Sequence, residues 1–232
     1  MSLTAPNNEG SGGARVRLLE AAVAVIRTKG LNATTVDDLC TTAGVTKGAF
    51  FHHFETKQHF AVAAARYWSE TTSTLFANAP FHEHSDPLQR VLGYIEHRKQ
   101  LIQGNPAQFS CLVGTMVQEA FDTEPAVRDA CAQSIFGHAD TLVADIAAAM
   151  KAQPPVIKSD PVAVSRHIQA VIQGAFILAK ASNDPSIAID SIEHLRHYIV
   201  LLFGHTTNDP HRASKQNHDL ANKRSSTRTR TR

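Results

Sequence analysis

The stretch from Thr34 to Phe60 reads TTVDDLCTTAGVTKGAFFHHFETKQHF, gathering hydroxyls, two lysines, small residues and adjacent histidines around one early glycine. Thr34 and Thr35 offer N-cap hydroxyls with Asp37 and Asp38 three residues on, an acidic start that suits the positive end of a helix dipole. Val36, Leu39, Cys40 and Ala43 then fall on one face. Gly44 can take φ > 0 and turn the chain sharply, and Val45 and Thr46 restart a helix through Lys47, Phe50 and Phe51. The chemistry on offer is recognition rather than catalysis. In a helix-turn-helix, a first short helix braces a second that can enter a DNA major groove about 12 Å wide. Spacing alone leaves a plain packing unit open as well, because paired short helices also occur without nucleic acid. The Asp37-Asp38 pair reads as a helix start and not as a general acid-base pair.

Other reactive side chains are scattered. Among 13 histidines, His82 and His84 neighbour Asp86 without helical ligand spacing, and His194 and His197 share an exposed face, so neither metal nor cofactor is expected. No GxSxG elbow, HExxH pair or phosphate loop occurs, so no enzyme is expected; an all-α enzyme using an internal cavity is the weaker alternative. Three cysteines, an odd count with no basic-then-apolar leader, point to a reducing cytoplasm. The longest apolar run, Tyr198 to Phe203, falls far short of the roughly 20 residues that span a membrane, so no membrane partner is expected.

The elements that must position the motif are helices. Leu18, Ala22, Val25 and Ile26 recur at helical spacing before the Lys29-Gly30 stop. A longer helix capped by Thr56 aligns Phe60, Ala64, Tyr67, Trp68, Thr71 and Leu75 up to Pro80, reaching on the order of 35 Å. Helical patterns follow at about 87–103, 107–120, 124–151, 160–182 and 186–204, and no convincing alternating strand appears, so the fold class is all-α. The 232 residues, 43% hydrophobic, suffice for a substantial core. Residues 205–232 carry seven basic and two acidic side chains, which turns a body of net charge −3 into a chain of +2. The expected organisation is a flexible arm at 1–13, a three-helix DNA-binding head at 14–58, a larger helical ligand-binding and dimerisation part at 59–204, and a disordered basic tail at 205–232.

The segment from Ala14 to Phe60 resembles the DNA-binding domain of the TetR family of bacterial one-component transcriptional regulators. The family pattern Thr-Thr-Val-x-Asp-(Ile/Leu)-x-x-x-Ala-Gly-Val-(Ser/Thr)-Lys-Gly-x-Leu-Tyr-x-His-Phe-x-x-Lys is met nearly throughout. The resemblance implies that Thr46, Lys47, Gly48, Ala49, Phe51 and His52 lie on the recognition helix, with Thr34, Thr35 and Lys57 at phosphates. The physics agrees: Lys47 can reach guanine O6 or N7, Gly48 and Ala49 allow close approach, and hydroxyls at a helix start suit phosphate oxygens. One departure is Phe51, where the family usually carries Tyr, so a phosphate contact from that hydroxyl must be absent or replaced. His52 is the candidate replacement, strengthened by protonation, while His53 is expected to pack structurally.

The resemblance also implies a dimeric, ligand-responsive regulator, expected to be a repressor, that binds a palindromic double-stranded DNA operator and is released by a small-molecule effector. A homodimer is expected through the helices at about 160–204, where Val164, Ile168, Ile172, Ile192, Leu195 and Ile199 provide apolar surface and Ala170, Gly174 and Ala175 allow close approach. Candidates for lining an effector pocket are Tyr67, Trp68, Phe109, Cys111, Met116, Gln118, Phe121, Cys131, Phe136 and His138, aromatic walls with a few polar groups being typical of such sites. A core role competes for His138, in one stripe with Cys131, Ile135, Leu142 and Ile146. The stretch Ser110-Cys111-Leu112-Val113-Gly114, followed by Glu119, is similar to segments of TetR-type regulators that respond to electrophiles or oxidants, which makes redox sensing through Cys111 an alternative.

Overall fold

The computed structural model describes residues 11–205, and every regular element among them is helical. The expectations for residues 1–10 and for the basic tail at 206–232 lie outside the described residues. Helix α1 (Ser11–Lys29) begins three residues ahead of Ala14, inside the stretch expected to be an arm. It is followed by α2 (Val36–Ala43), α3 (Lys47–His53) and the long α4 (Lys57–Ala77).

The turn between α2 and α3 is built as the sequence requires. Thr35 and Asp38 form a reciprocal capping box, and Gly44 takes φ 63°, ψ 41° to close α2 while its N–H reaches the carbonyls of Cys40 and Thr41. Thr46 then caps α3, accepting from the Ala49 N–H at 3.1 Å. A seven-residue helix has little stability of its own, so α3 depends on what it buries. That is Phe50, fully enclosed and tilted against Phe54 and Phe60 at centroid separations of 5.6 and 5.3 Å. Leu18, Ala22 and Ile26 of α1 and Leu39 of α2 complete the packing.

After a 3-10 turn (Pro80–Glu83) come α5 (Pro87–Gln100), α6 (Pro106–Phe109), α7 (Leu112–Ala120), α8 (Pro125–Asp140), α9 (Val143–Ala152), α10 (Pro161–Ser182) and α11 (Pro185–Leu202). Two of the expected helices are broken. The segment at 107–120 divides because Ser110 and Cys111 adopt extended backbone, and Cys111 becomes the N-cap of α7. The segment at 124–151 divides at Thr141-Leu142.

Two apolar cores result. One joins the head to α7 and α8 through Leu112, Val113, Met116, Val127 and Cys131; the other unites the end of α4 with α5, α9, α10 and α11. Helix α10 is long and apolar enough to cross a bilayer, yet 44% of its most apolar window is buried within the protein and it packs along α11. The stripe expected to meet a partner subunit needs correction: Val164, Ile168, Ile172, Ala175, Ile192, Leu195 and Ile199 are all buried inside the chain itself. The opposite faces of the same two helices expose Ile177, Leu178, Ile189, Tyr198 and Leu201. Ala170 is exposed beside them, and nothing lies within 4 Å of a Cβ built on Gly174.

Replacing Phe50 with Ala removes the side chain that fixes α3. We expect Phe50→Ala to lower unfolding stability by about 3–5 kcal/mol, read as a reduced urea midpoint with an unchanged slope.

Candidate DNA interface and effector cavity

On α3 the exposed residues are Thr46, Lys47, Gly48, Phe51 and His52, with Ala49 partly covered. Phe51 is 54% exposed, and its ring meets Phe50 edge-on at 5.3 Å. A Cβ on Gly48 would find only Thr46 Oγ1, at 3.7 Å, so the backbone there is open to close approach. Lys47 is held by Asp37, its Nζ 2.7 Å from the carboxylate, and that pairing raises the Lys47 pKa. His52 is exposed and His53 partly buried, where desolvation, then His52 and Arg15, lower its pKa.

Of the three residues expected at phosphates, only Thr35 is exposed, and its hydroxyl is engaged with Asp38. Thr34 is 1% exposed and donates to the Gly30 carbonyl at 2.6 Å, so its role is to tie the α1–α2 link. Lys57 is half-buried and donates to the Asn32 carbonyl at 3.2 Å, which makes it a brace as well as a charge. Arg15, not anticipated from the sequence, stacks over the Phe54 ring at 5.5 Å and places a further cation beside α3.

A cavity of about 50 Å³ lies between α4, α5, α6, α7, α8 and α10. Four of the ten expected lining residues face it: Trp68, Phe109, Cys111 and His138. Met116 and Cys131 are fully buried in the core shared with the head, and burial pushes the Cys131 thiol up to about 12. Tyr67 packs against that same core, and Gln118 is turned outward with its amide on the Gly114 carbonyl. Phe121 and Phe136 are 61% and 50% exposed, and Phe136 receives Arg166 over its ring. These six miss the cavity because Tyr67, Met116 and Cys131 lie on the sides of α4, α7 and α8 that pack into the head-side core, and Gln118, Phe121 and Phe136 lie on sides turned to solvent.

The sequence did not reveal Phe76, Arg98, Gln169, Gln173 and Phe176, which with Thr72, Val113 and Ser134 complete the lining. Arg98 sits in an Arg-Lys-rich run that reads as a solvated helix face, and the polar residues of α10 carry no motif. The cavity's polar groups form a chain in which Gln169 Nε2 donates to the Tyr94 hydroxyl at 2.8 Å and that hydroxyl lies 2.9 Å from His138 Nε2. With its oxygen already accepting, the Tyr94 O–H is free to donate to Nε2, which assigns the neutral Nδ1–H tautomer to His138. Burial, with Arg98 adding repulsion, pushes the His138 pKa down to about 3. Both readings of His138 therefore apply: it lines the cavity and is a satisfied interior group. A wider hollow of about 430 Å³ between α1 and α2 is an open surface depression without aromatic walls.

The head and the cavity are joined by polar contacts as well as by α4. Arg27 of α1 lies over the Trp68 ring at 5.4 Å and donates to the Gln108 and Ser110 carbonyls, on either side of Phe109. Glu119 of α7 accepts from the Asn32 N–H at 2.7 Å, and the Asn32 carbonyl in turn receives Lys57.

A model of bacterial regulatory proteins of the tetR family matches residues 18–64, and a tetracyclin repressor-like C-terminal domain matches residues 87–195. The chain belongs to the TetR family. Residues 18–64 thus carry the N-terminal helix-turn-helix domain of that family of bacterial regulatory proteins. The chain is similar to the HTH-type transcriptional repressor KstR2 of Rhodococcus jostii, 39% identical over 54 residues, which are 23% of this chain and 26% of that one. It is also similar to KstR2 of Mycobacterium tuberculosis, 30% identical over 94 residues, 40% of this chain and 46% of that one. The chain therefore spans less than half the length of these curated relatives. Among solved structures, a TetR-family regulator from Agrobacterium tumefaciens superposes with TM-score 0.72 at 17% identity, covering 82% of this chain and 98% of that one. The reduced form of E. coli NemR gives TM-score 0.68 at 20% identity, covering 78% and 94%. Both likenesses show the TetR-family fold.

The depressed pKa of His138 fixes the sign of one pH effect. Its folded value of about 3 lies below the ordinary 6.5, so the unfolded chain binds the proton more tightly. Stability from this group is complete above pH 6.5 and falls as pH drops toward 3, at up to about 1.4 kcal/mol per pH unit. We expect urea unfolding of His138→Asn to show a shallower acid limb across that window than the wild type.

Proposed function

We propose that the chain is a dimeric, effector-released repressor whose two α3 helices enter successive major grooves of a palindromic operator. The observation that carries this reading is the exposed face of α3, with Thr46, Lys47, Gly48, Phe51 and His52 outward and Phe50 locked inward. Lys47 leaves Asp37 for a base edge, Ala49 meets a thymine methyl, and Thr35, Lys57 and Arg15 lie at phosphates. Phe51 has no hydroxyl to give a phosphate, and His52 takes that place. The second subunit docks on the exposed stripe of α10 and α11, which carries Ile177, Leu178, Tyr198 and Leu201 together with the small Ala170 and Gly174. The protein works in the cytoplasm, where the operator is.

An effector in the cavity separates α6 and α7 from α4 and α10. That movement pulls on Arg27 and on the Glu119–Asn32 hydrogen bond, tilting the head and changing the spacing of the two recognition helices. The effector must bind the released form preferentially, and a coupling of about 1–3 kcal/mol gives a 5- to 150-fold change in operator affinity.

A second reading is supported by Cys111. Its sulfur accepts the Gly114 N–H at 3.4 Å at the start of α7, within the fields of Arg27 and Lys180, and it borders the cavity. Here a thiol-directed electrophile replaces the reversible effector, and N-ethylmaleimide releases the wild type from DNA but not Cys111→Ser.

Selection of binding sites from random duplex DNA tests the primary reading and should return an inverted repeat; a sequence-independent pool would contradict it. On that site, Lys47→Ala is expected to cost about 1–3 kcal/mol and relax preference at one base pair, whereas Lys57→Ala weakens binding to all sequences and lowers the salt slope by about one. Glu119→Gln should leave operator affinity within a few-fold but reduce the effector's influence on it, measured by fluorescence anisotropy with and without ligand.

A further inference from the structure

The cavity contains a cation with no anion. Arg98 of α5 lines it, its guanidinium lying 5.2 Å from the centre of the Phe76 ring and 5.7 Å from that of Phe176. Its Nε is buried without a hydrogen-bond partner, and Arg98 belongs to none of the ion pairs among the described residues. Neither neighbouring imidazole offsets the charge, since a neutral His138 brings no negative charge and His97 also has a buried, unpaired Nε2. The one remaining buried side-chain atom without a partner among the described residues is Ser110 Oγ, between the lining residues Phe109 and Cys111. All three orphaned atoms therefore belong to residues in, or next in sequence to, this one wall.

Arg98 is half-buried with its Nε enclosed, and a guanidinium drawn partly out of water gains from a counter-charge that two aromatic faces supply only in part. A carboxylate would supply what is missing, because its two oxygens match the planar fork of N–H donors. The aromatic lining, Trp68, Phe76, Phe109 and Phe176, would hold a flat apolar body behind that group. We propose that the effector is an organic anion, an aromatic or otherwise apolar carboxylic acid whose carboxylate pairs with Arg98.

This rests on the effector-responsive reading above and names the chemical class of the ligand. At about 50 Å³ the cavity has room for one or two waters, so an organic acid enters only as its walls part. Binding and the movement of α6 and α7 are then one event.

Thermal unfolding of the full chain without DNA tests the proposal, with 2-naphthoate and its neutral counterpart 2-naphthamide as probes. Naphthoate should raise the midpoint saturably and naphthamide by less than a tenth as much. Arg98→Met should weaken the acid's apparent affinity at least tenfold while melting, ligand-free, at or above the wild-type temperature; Arg98→Lys should retain part of the acid's effect. Equal shifts from acid and amide, no shift from the acid, or an acid-specific shift that survives Arg98→Met would overturn the proposal. So would a ligand-free Arg98→Met that melts well below wild type, since the guanidinium would then be a stacking group of the core. With no DNA in the assay, failure here removes the anion assignment alone. Naphthoate binding that leaves an operator footprint intact would instead remove the release mechanism.

Discussion

The aromatic contact among Phe50, Phe54 and Phe60 governs the rest of the molecule. Helix α3 has seven residues and cannot persist by its own hydrogen bonds, yet its outward face has to be presented at a fixed angle. Three rings at centroid separations of 5.0–5.6 Å, all essentially excluded from solvent, fix that angle from beneath. Because Phe60 lies on α4, the same contact ties the direction of α3 to the long helix. Anything that tilts α4 tilts the recognition surface with it.

The head is not mechanically separate from the rest. Its apolar core continues into α7 and α8, and the polar contacts of Arg27 and Glu119 cross to the helices that wall the cavity. The fit at this seam is close: a Cβ on Gly30 would overlap the Glu119 carboxylate, and Gly30 itself has φ 86°. A displacement of α7 therefore reaches the loop that starts α2 without passing along the length of α4.

The head was legible in the sequence because its determinants are local. The capping box of Thr35 and Asp38, the left-handed Gly44 and the Thr46 cap depend on residues within four positions of one another, and each takes its expected form. Thr34 departs from its expected place at a phosphate for a tertiary reason: a hydroxyl that can serve a phosphate serves the Gly30 carbonyl equally well once the chain turns back on itself. The cavity was legible only in part. Breaks at Ser110-Cys111 and Thr141-Leu142 carry no glycine or proline, so the sequence does not mark where α7 and α9 begin. The inner and outer stripes of α10 and α11 are both apolar, so periodicity could not say which one packs inside. Arg98 lies beyond any sequence rule, because its meaning comes from the carboxylate that is not beside it.

In the proposed function, one rigidly held short helix per chain becomes a DNA reader by twofold pairing through the outer stripe of α10 and α11. Sedimentation equilibrium of the protein with a labelled duplex bearing the selected inverted repeat, at about 0.1 M salt, tests it most directly. The expected result is complexes of two chains per duplex, with free protein already dimeric at micromolar concentration. Single chains bound to the full repeat, or a free protein that remains monomeric and leaves the duplex unbound, would contradict it.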